Sequence, residues 1–282
     1  MSAYTEMLKS IWNGYHGLSV YEMMMKANLD IITGGKFTDA DINLICNNFI
    51  NNADLAKLKQ VNHEKSANMN PIFYHTAEKL VTVSTVTPKT QLLSGNSYEL
   101  EILRLLALFC SEDEMVGDML KVTYDRLKNT CFGRFCPTGE CFDLSIVTLR
   151  FLNTAFPLEV QWMEKLINGI KVNMHTKKRH SGTLFYYWLT LSELPIGISK
   201  REIERYSTNC TTETEKIALP NLLRKSYILN SDHDKYATPF GVYVMRNCLS
   251  KLDDYKYIEN RKPYVSTKDG RMHFNMEDSM IL

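Results

Sequence analysis

The sequence predicts an all-α protein built from helical hairpins. Three observations carry that prediction. Apolar residues recur at spacings of three and four over most of the chain, the period of one helix face. Four segments are apolar almost all round: Tyr98–Leu108, Phe142–Leu152, Leu184–Leu194 and Val242–Leu252. Their last leucines, Leu108, Leu152, Leu194 and Leu252, lie 44, 42 and 58 residues apart. Amphipathic stretches between them, Glu114–Lys128, Leu158–Val172 and parts of Lys200–Ile228, read as outer helices. A period in the forties belongs to helical-hairpin repeats, which stack because no unit buries its apolar face alone.

In chain order, Tyr4, Met7, Leu8, Ile11, Trp12 and Tyr15 give a helical pattern that Gly14 and Gly17 break. It resumes from Val20 to Ile32, and Met23, Met24 and Met25 read as irregular core filling. Gly34-Gly35 is a stop signal. Thr38 reads as an N-cap for a helix from Asp39 to about Val61, with Asp39 and Asp41 in its first turn. Four asparagines, Asn47, Asn48, Asn51 and Asn52, are placed to interrupt that helix. Residues 63–70 read as a polar linker, and a further element starts at Pro71. Val81–Thr87 is the only strongly β-favouring run, a strand or an irregular helix end. Pro88–Asn96 reads as loop. The tail from Pro263 carries the turn pair Asp269-Gly270, which suits a hairpin or an extended strap. These readings divide the chain into an N-terminal helical region (1–96), hairpin repeats (97–262) and a C-terminal strap (263–282).

Composition narrows the function classes. Of 282 residues, 44% are apolar and 23% charged, which is enough for a sizeable core. A net charge of +1 argues against a global attraction to nucleic acid or an anionic membrane. No apolar run approaches the ~20 residues needed to span a bilayer. Met1–Lys9 lacks the form of a secretory signal, so a cytoplasmic location is expected. Seven dispersed cysteines then read as reduced thiols, mostly small buried hydrophobes.

A turn, an apolar inner helix and an amphipathic outer helix in succession resemble the α/α-toroid group, which includes terpenoid cyclases and protein prenyltransferase β-subunits. The residues that carry the resemblance are Gly139-Glu140 followed by Asp143 and a helix, and Thr238-Pro239-Phe240 before the last apolar segment. The resemblance covers at most Ser97–Leu252 and implies a partial or complete α/α toroid. Neither activity follows from it. Prenyltransferases place a zinc-binding Asp two residues before a zinc-binding Cys, whereas Leu144, Ser145 and Ile146 follow Asp143 here. The cyclase Asp-x-Asp-Asp run has no counterpart in Asp232-His233-Asp234, and the Gln-Trp repeats are absent.

The densest chemistry lies at one junction, Cys131-Phe-Gly-Arg-Phe-Cys136-Pro-Thr-Gly-Glu-Cys141. Cys136 or Cys141 near a helix N-terminus has the placement of a nucleophile with a lowered pKa. His180 is then the candidate base, and Glu140 or Asp143 its orienting group. The same thiols suggest a metal site, with Asp143, His175 or His180 as a fourth ligand. Their spacing of five and five is looser than the usual zinc pairs, so the sequence assigns no metal ligands and specifies no cofactor. Lys177-Lys-Arg-His180 precedes the aromatic run Phe185-Tyr-Tyr-Trp188. A basic loop beside an aromatic wall suits an anionic ligand, although a solvated loop before a core helix is the simpler reading.

The leading expectation is an enzyme, or an enzyme-derived binder, acting on a small molecule or modified peptide in a central cavity. Cys136, Glu140, Cys141, Asp143 and His180 would face that cavity, and Tyr186, Tyr187, Trp188 and Tyr243 would line it. One alternative is a non-catalytic helical-repeat module that binds another protein. The other is a transcription regulator with a winged helix at 196–245, in which Ser199 caps the first helix and Leu219–Lys225 enters the groove. Within 196–230, six Lys/Arg face four Glu, a weak basic footprint for a DNA binder.

Overall fold

A computed structural model describes residues 14–33, 36–54, 72–73, 80–84, 86–176, 181–207, 244, 248, 251–252, 264–268 and 271–275. Among these residues the chain is helical apart from one small hairpin. It divides into two compact units: Tyr15–Ala27 with Phe37–Lys178, and Met1–Gly14 with Asn28–Lys36 and Arg179–Leu282.

The early helices follow their local signals. Gly14 and Gly17 take left-handed φ values of 95° and 77°, a region open to glycine because it lacks a Cβ. Helix α1 (Val20–Thr33) then begins under a reciprocal cap between Ser19 and Glu22. Met23, Met24 and Met25 are all buried, as core filling requires. Helix α2 (Asp39–Asn51) opens with a capping box between Thr38 and Asp41. It stops about three turns short of the expected end at Val61. Asn52 is the C-cap, and its side chain donates to the Asn48 carbonyl at 2.8 Å. The asparagine cluster therefore terminates the helix, because its amides offer the backbone another partner.

Pro71 and residues 74–79 lie outside the described residues, and of the element expected there, Phe73 forms an antiparallel bridge with Ala53. The β-favouring run from Val81 is a turn, in which the Thr82 amide donates to the Val86 carbonyl at 3.0 Å. The Thr82 hydroxyl also bonds to both backbone groups of Val86, closing the turn locally.

Helix α3 (Gln91–Phe109) begins inside the stretch read as loop. Thr90 caps it by accepting from the Leu93 amide, and the Asn96 side chain donates to the Leu92 carbonyl. Ser94, Gly95, Asn96 and Ser97 lie in the helix interior because burial, rather than propensity, decides there. Every residue from Leu93 to Leu106 is buried. Leu108, taken as the register mark, is 49% exposed, whereas Leu152 and Leu194 are fully buried.

Amphipathic and buried helices alternate thereafter. Helix α4 (Glu114–Asn129), capped by Asp113, packs on α3. Helix α5 (Gly139–Ala155) is buried from Leu144 to Leu152 and packs against α3 and against α6 (Val160–Thr176). In the other unit, α7 (Ser181–Glu193) packs with α8 (Ile196–Ser207). Tyr187 on α7, wholly buried, donates to Glu202 on α8 at 2.8 Å. Helix α8 starts immediately after Pro195, so Ser199 is not its cap. Ser199 sits one turn in, and its hydroxyl donates to the Pro195 carbonyl. From the fourth apolar segment, Lys251 donates to the Leu191 and Leu194 carbonyls at the C-terminus of α7, where a cation suits the helix dipole. Strands β1 (Tyr264–Lys268) and β2 (Arg271–Asn275) pair antiparallel, with Lys268 opposite Arg271. The proposed recognition helix and most of the wing, residues 208–243, lie outside the described residues.

The core of the larger helical unit contains charge. Glu99 on α3 accepts from Arg126 on α4 and from the amides of Ile72 and Phe73. Glu101, also on α3, accepts from Arg150 on α5 and from Arg104. A disulfide joins Cys46 on α2 to Cys110 at the C-cap of α3. The expectation of uniformly reduced thiols is thereby corrected, since packing α2 on α3 juxtaposes two cysteines that are remote in sequence. Among the described residues, no helix is long and apolar enough to cross a membrane.

Candidate functional site

The loop between α4 and α5 folds so that its three cysteines converge. The Sγ atoms of Cys131, Cys136 and Cys141 all lie within 4.8 Å of one another. The Cys131 thiol donates to the Cys141 sulfur at 3.7 Å. Cys131 is exposed, and the other two are half-buried.

Several contacts fix the loop independently of its thiols. The Thr130 hydroxyl donates to the Leu127 carbonyl at 2.9 Å and accepts from the Gly133 amide at 3.0 Å. A Cβ at Gly133 would stand 1.9 Å from the Leu127 oxygen, so only glycine fits this approach. Trp162 on α6 donates its indole N–H to the Gly133 carbonyl at 2.6 Å. Phe135 takes a left-handed φ of 82°. Its ring lies where Gly169 of α6 leaves room, since a Cβ there would come within 2.5 Å of it. Ser145 then joins the loop to α5, accepting from the Cys136 amide at 3.1 Å and donating to the Cys141 carbonyl at 3.0 Å.

The electrostatics separate the thiols. Desolvation pushes the Cys136 thiol up, but hydrogen bonds from the Thr138 hydroxyl and backbone and from the two neighbouring thiols outweigh it, so its pKa falls below the ordinary value. Burial, with the adjacent Cys131 and Cys136, pushes Cys141 up to about 12.

The residues expected to act together do not all meet. Cys136, Glu140, Cys141 and Asp143 share the loop and the first turns of α5. Glu140 is engaged elsewhere: its carboxylate accepts from the Lys89 and Thr90 amides and from the Thr90 hydroxyl, fastening the start of α5 to the cap of α3. His180 and Tyr243 lie outside the described residues. Tyr186, Tyr187 and Trp188 are buried side chains of α7, at most 3% exposed, in the unit that does not hold the thiols. Cys131, which the sequence places in the candidate metal site through the five-and-five spacing but not in the expected catalytic set, is one of the three converging thiols.

The three sulfurs suit a thiophilic ion. A zinc–sulfur bond of about 2.3 Å puts the sulfurs of a tetrahedral site about 3.8 Å apart, close to the Cys131–Cys141 separation. Soft thiolate donors favour zinc and cuprous ions over hard cations. No family model, curated protein or solved structure matches this chain.

Proposed function

We propose that this chain binds a zinc-class metal ion through the thiolates of Cys131, Cys136 and Cys141. The observation that carries the reading is the convergence of three sulfurs within 4.8 Å on a loop held by non-thiol contacts. A loop already fixed by Trp162, Ser145 and two glycine approaches loses little conformational freedom when an ion arrives. The Sγ–Sγ contact of 3.7 Å needs almost no adjustment to ligate.

The scaffold is proposed to be a partial or complete α/α toroid, supported by three successive pairs of one buried and one amphipathic helix. The wider expectation, an enzyme or binder of a small molecule or peptide in a central cavity, draws no support from the cavity beside Tyr21, Met24, Tyr98 and Glu101. That cavity is about 10 Å³, room for one water molecule. A cytoplasmic location is proposed for the thiol cluster, which needs reduced thiols to ligate, although the Cys46–Cys110 bridge is a bond more usual in oxidising compartments.

Equilibrium dialysis of the reduced protein against zinc, read by elemental analysis, tests the metal reading. One ion per chain is expected, with the stoichiometry falling towards zero in the Cys131→Ser/Cys136→Ser/Cys141→Ser variant. Cadmium loading should add a thiolate charge-transfer band that the variant lacks. Unchanged stoichiometry in that variant would sink the assignment.

A further inference from the structure

We infer that the three-thiol centre is redox-released: oxidation closes Cys131 and Cys141 into a disulfide, and the bound ion leaves. This inference rests on the metal reading above and adds its regulation.

The geometry distinguishes this pair from the third cysteine. Cys131 and Cys141 are in direct sulfur–sulfur contact at 3.7 Å. A disulfide needs about 2.0 Å, so the sulfurs must approach by about 1.7 Å, within reach of side-chain rotation. Cys131 is exposed, so a small oxidant in solution reaches its sulfur. Cys136 also meets the two sulfurs but has further partners: its sulfur lies 3.3 Å from the Thr138 hydroxyl, and its amide donates to Ser145. The contacts that fix the loop involve Thr130, Gly133, Phe135 and Ser145, not the two sulfurs. The pair can therefore close while the loop stays in place.

A peroxide supplies the oxidising equivalents. The Cys131 thiolate attacks one peroxide oxygen, the O–O bond breaks, and the departing hydroxide takes up a proton to become water. The Cys141 sulfur then attacks the Cys131 sulfenic sulfur. The S–S bond forms, the S–O bond breaks, and the hydroxide takes a proton from solvent and leaves as water. In total, two ligating thiolates lose two electrons, and one hydrogen peroxide takes up those electrons and two solvent protons to become two waters. With two of the three thiolates consumed, Cys136 is the one cluster thiolate left among the described residues, and a single thiolate does not hold the ion.

The experiment treats zinc-loaded full-length protein with stoichiometric hydrogen peroxide. Zinc release is followed with a chromogenic chelator, and disulfides are mapped by mass spectrometry of non-reduced peptides. The expected result is release of one zinc per Cys131–Cys141 disulfide formed, reversed when dithiothreitol and zinc are returned. Cys248→Ser should behave like the parent, because that thiol is buried and donates to the Trp188 carbonyl. A disulfide involving Cys136, or oxidation with the zinc retained, overturns the inference. If the reduced protein binds no zinc, the metal reading falls and the release device with it. The peptide map of the metal-free protein then still decides whether Cys131 and Cys141 are the oxidisable pair.

Discussion

Arg150 on α5 donates from a single Nη1 to both carboxylate oxygens of Glu101 on α3, at 2.8 and 2.9 Å, with both side chains buried. Arg104 donates to the same carboxylate at 3.1 Å. The interface between α3 and α5 is thus fastened by charge as well as by apolar packing. Breaking a buried ion pair by removing one member typically costs about 3–5 kcal/mol. We expect Glu101→Leu to lower stability by that amount in urea titrations. Pairing it with Arg150→Met should recover a substantial part of the loss. A loss below about 1 kcal/mol for the single variant would show that the pair contributes little.

Gly133 and Gly169 shape the thiol loop without touching an ion. Gly133→Ala would drive a Cβ against the Leu127 carbonyl, and Gly169→Ala would push on the Phe135 ring. Supporting contacts of this kind tune metal affinity by about 10–100-fold. We expect both variants to bind zinc at least about tenfold more weakly, measured by chelator competition. Gly117→Ala, where an added Cβ meets nothing, is the control and should leave affinity unchanged.

The Cys46–Cys110 bridge closes a loop with a sequence separation of 64. A loop of that size contributes about 4 kcal/mol in the chain-entropy account. The Cys46→Ala/Cys110→Ala variant should lower the denaturation midpoint accordingly, without changing zinc stoichiometry. If zinc binding is lost as well, the bridge and the thiol loop are coupled.

The cap of α2 gives a pH dependence with a definite sign. Hydrogen bonds from the Thr38 hydroxyl and backbone hold the Asp41 carboxyl below its ordinary value of 3.8. A depressed folded-state pKa contributes stability that is present above the unfolded value and lost as pH falls through the folded one. We expect the difference between parent and Asp41→Asn to be constant near neutrality and to shrink below about pH 4. Thr38→Ala should cost about 1 kcal/mol. Parallel melting curves from pH 7 to pH 2.5 separate the two contributions.

The sequence by itself determined the helical class, the capping of α2 by Thr38, and the existence of α3 to α7, because amphipathic period and cap chemistry act over a few residues. Where tertiary partners decide, local signals misled. Ser94, Gly95, Asn96 and Ser97 look like loop yet lie inside α3, since its burial against α5 outweighs their poor propensity. Val81–Thr87 suits a strand or an irregular helix end, but the Thr82 hydroxyl takes the backbone groups of Val86 into a turn. The cysteines show the division most sharply. Spacing marked the junction at 131–141 as unusual. Only the folded loop, closed by Gly133 beneath Trp162 and by Ser145 from α5, brings three sulfurs to one point. Only the packing of α2 on α3 could bring Cys46 to Cys110, because contact between residues remote in sequence depends on how helices stack rather than on their own residues.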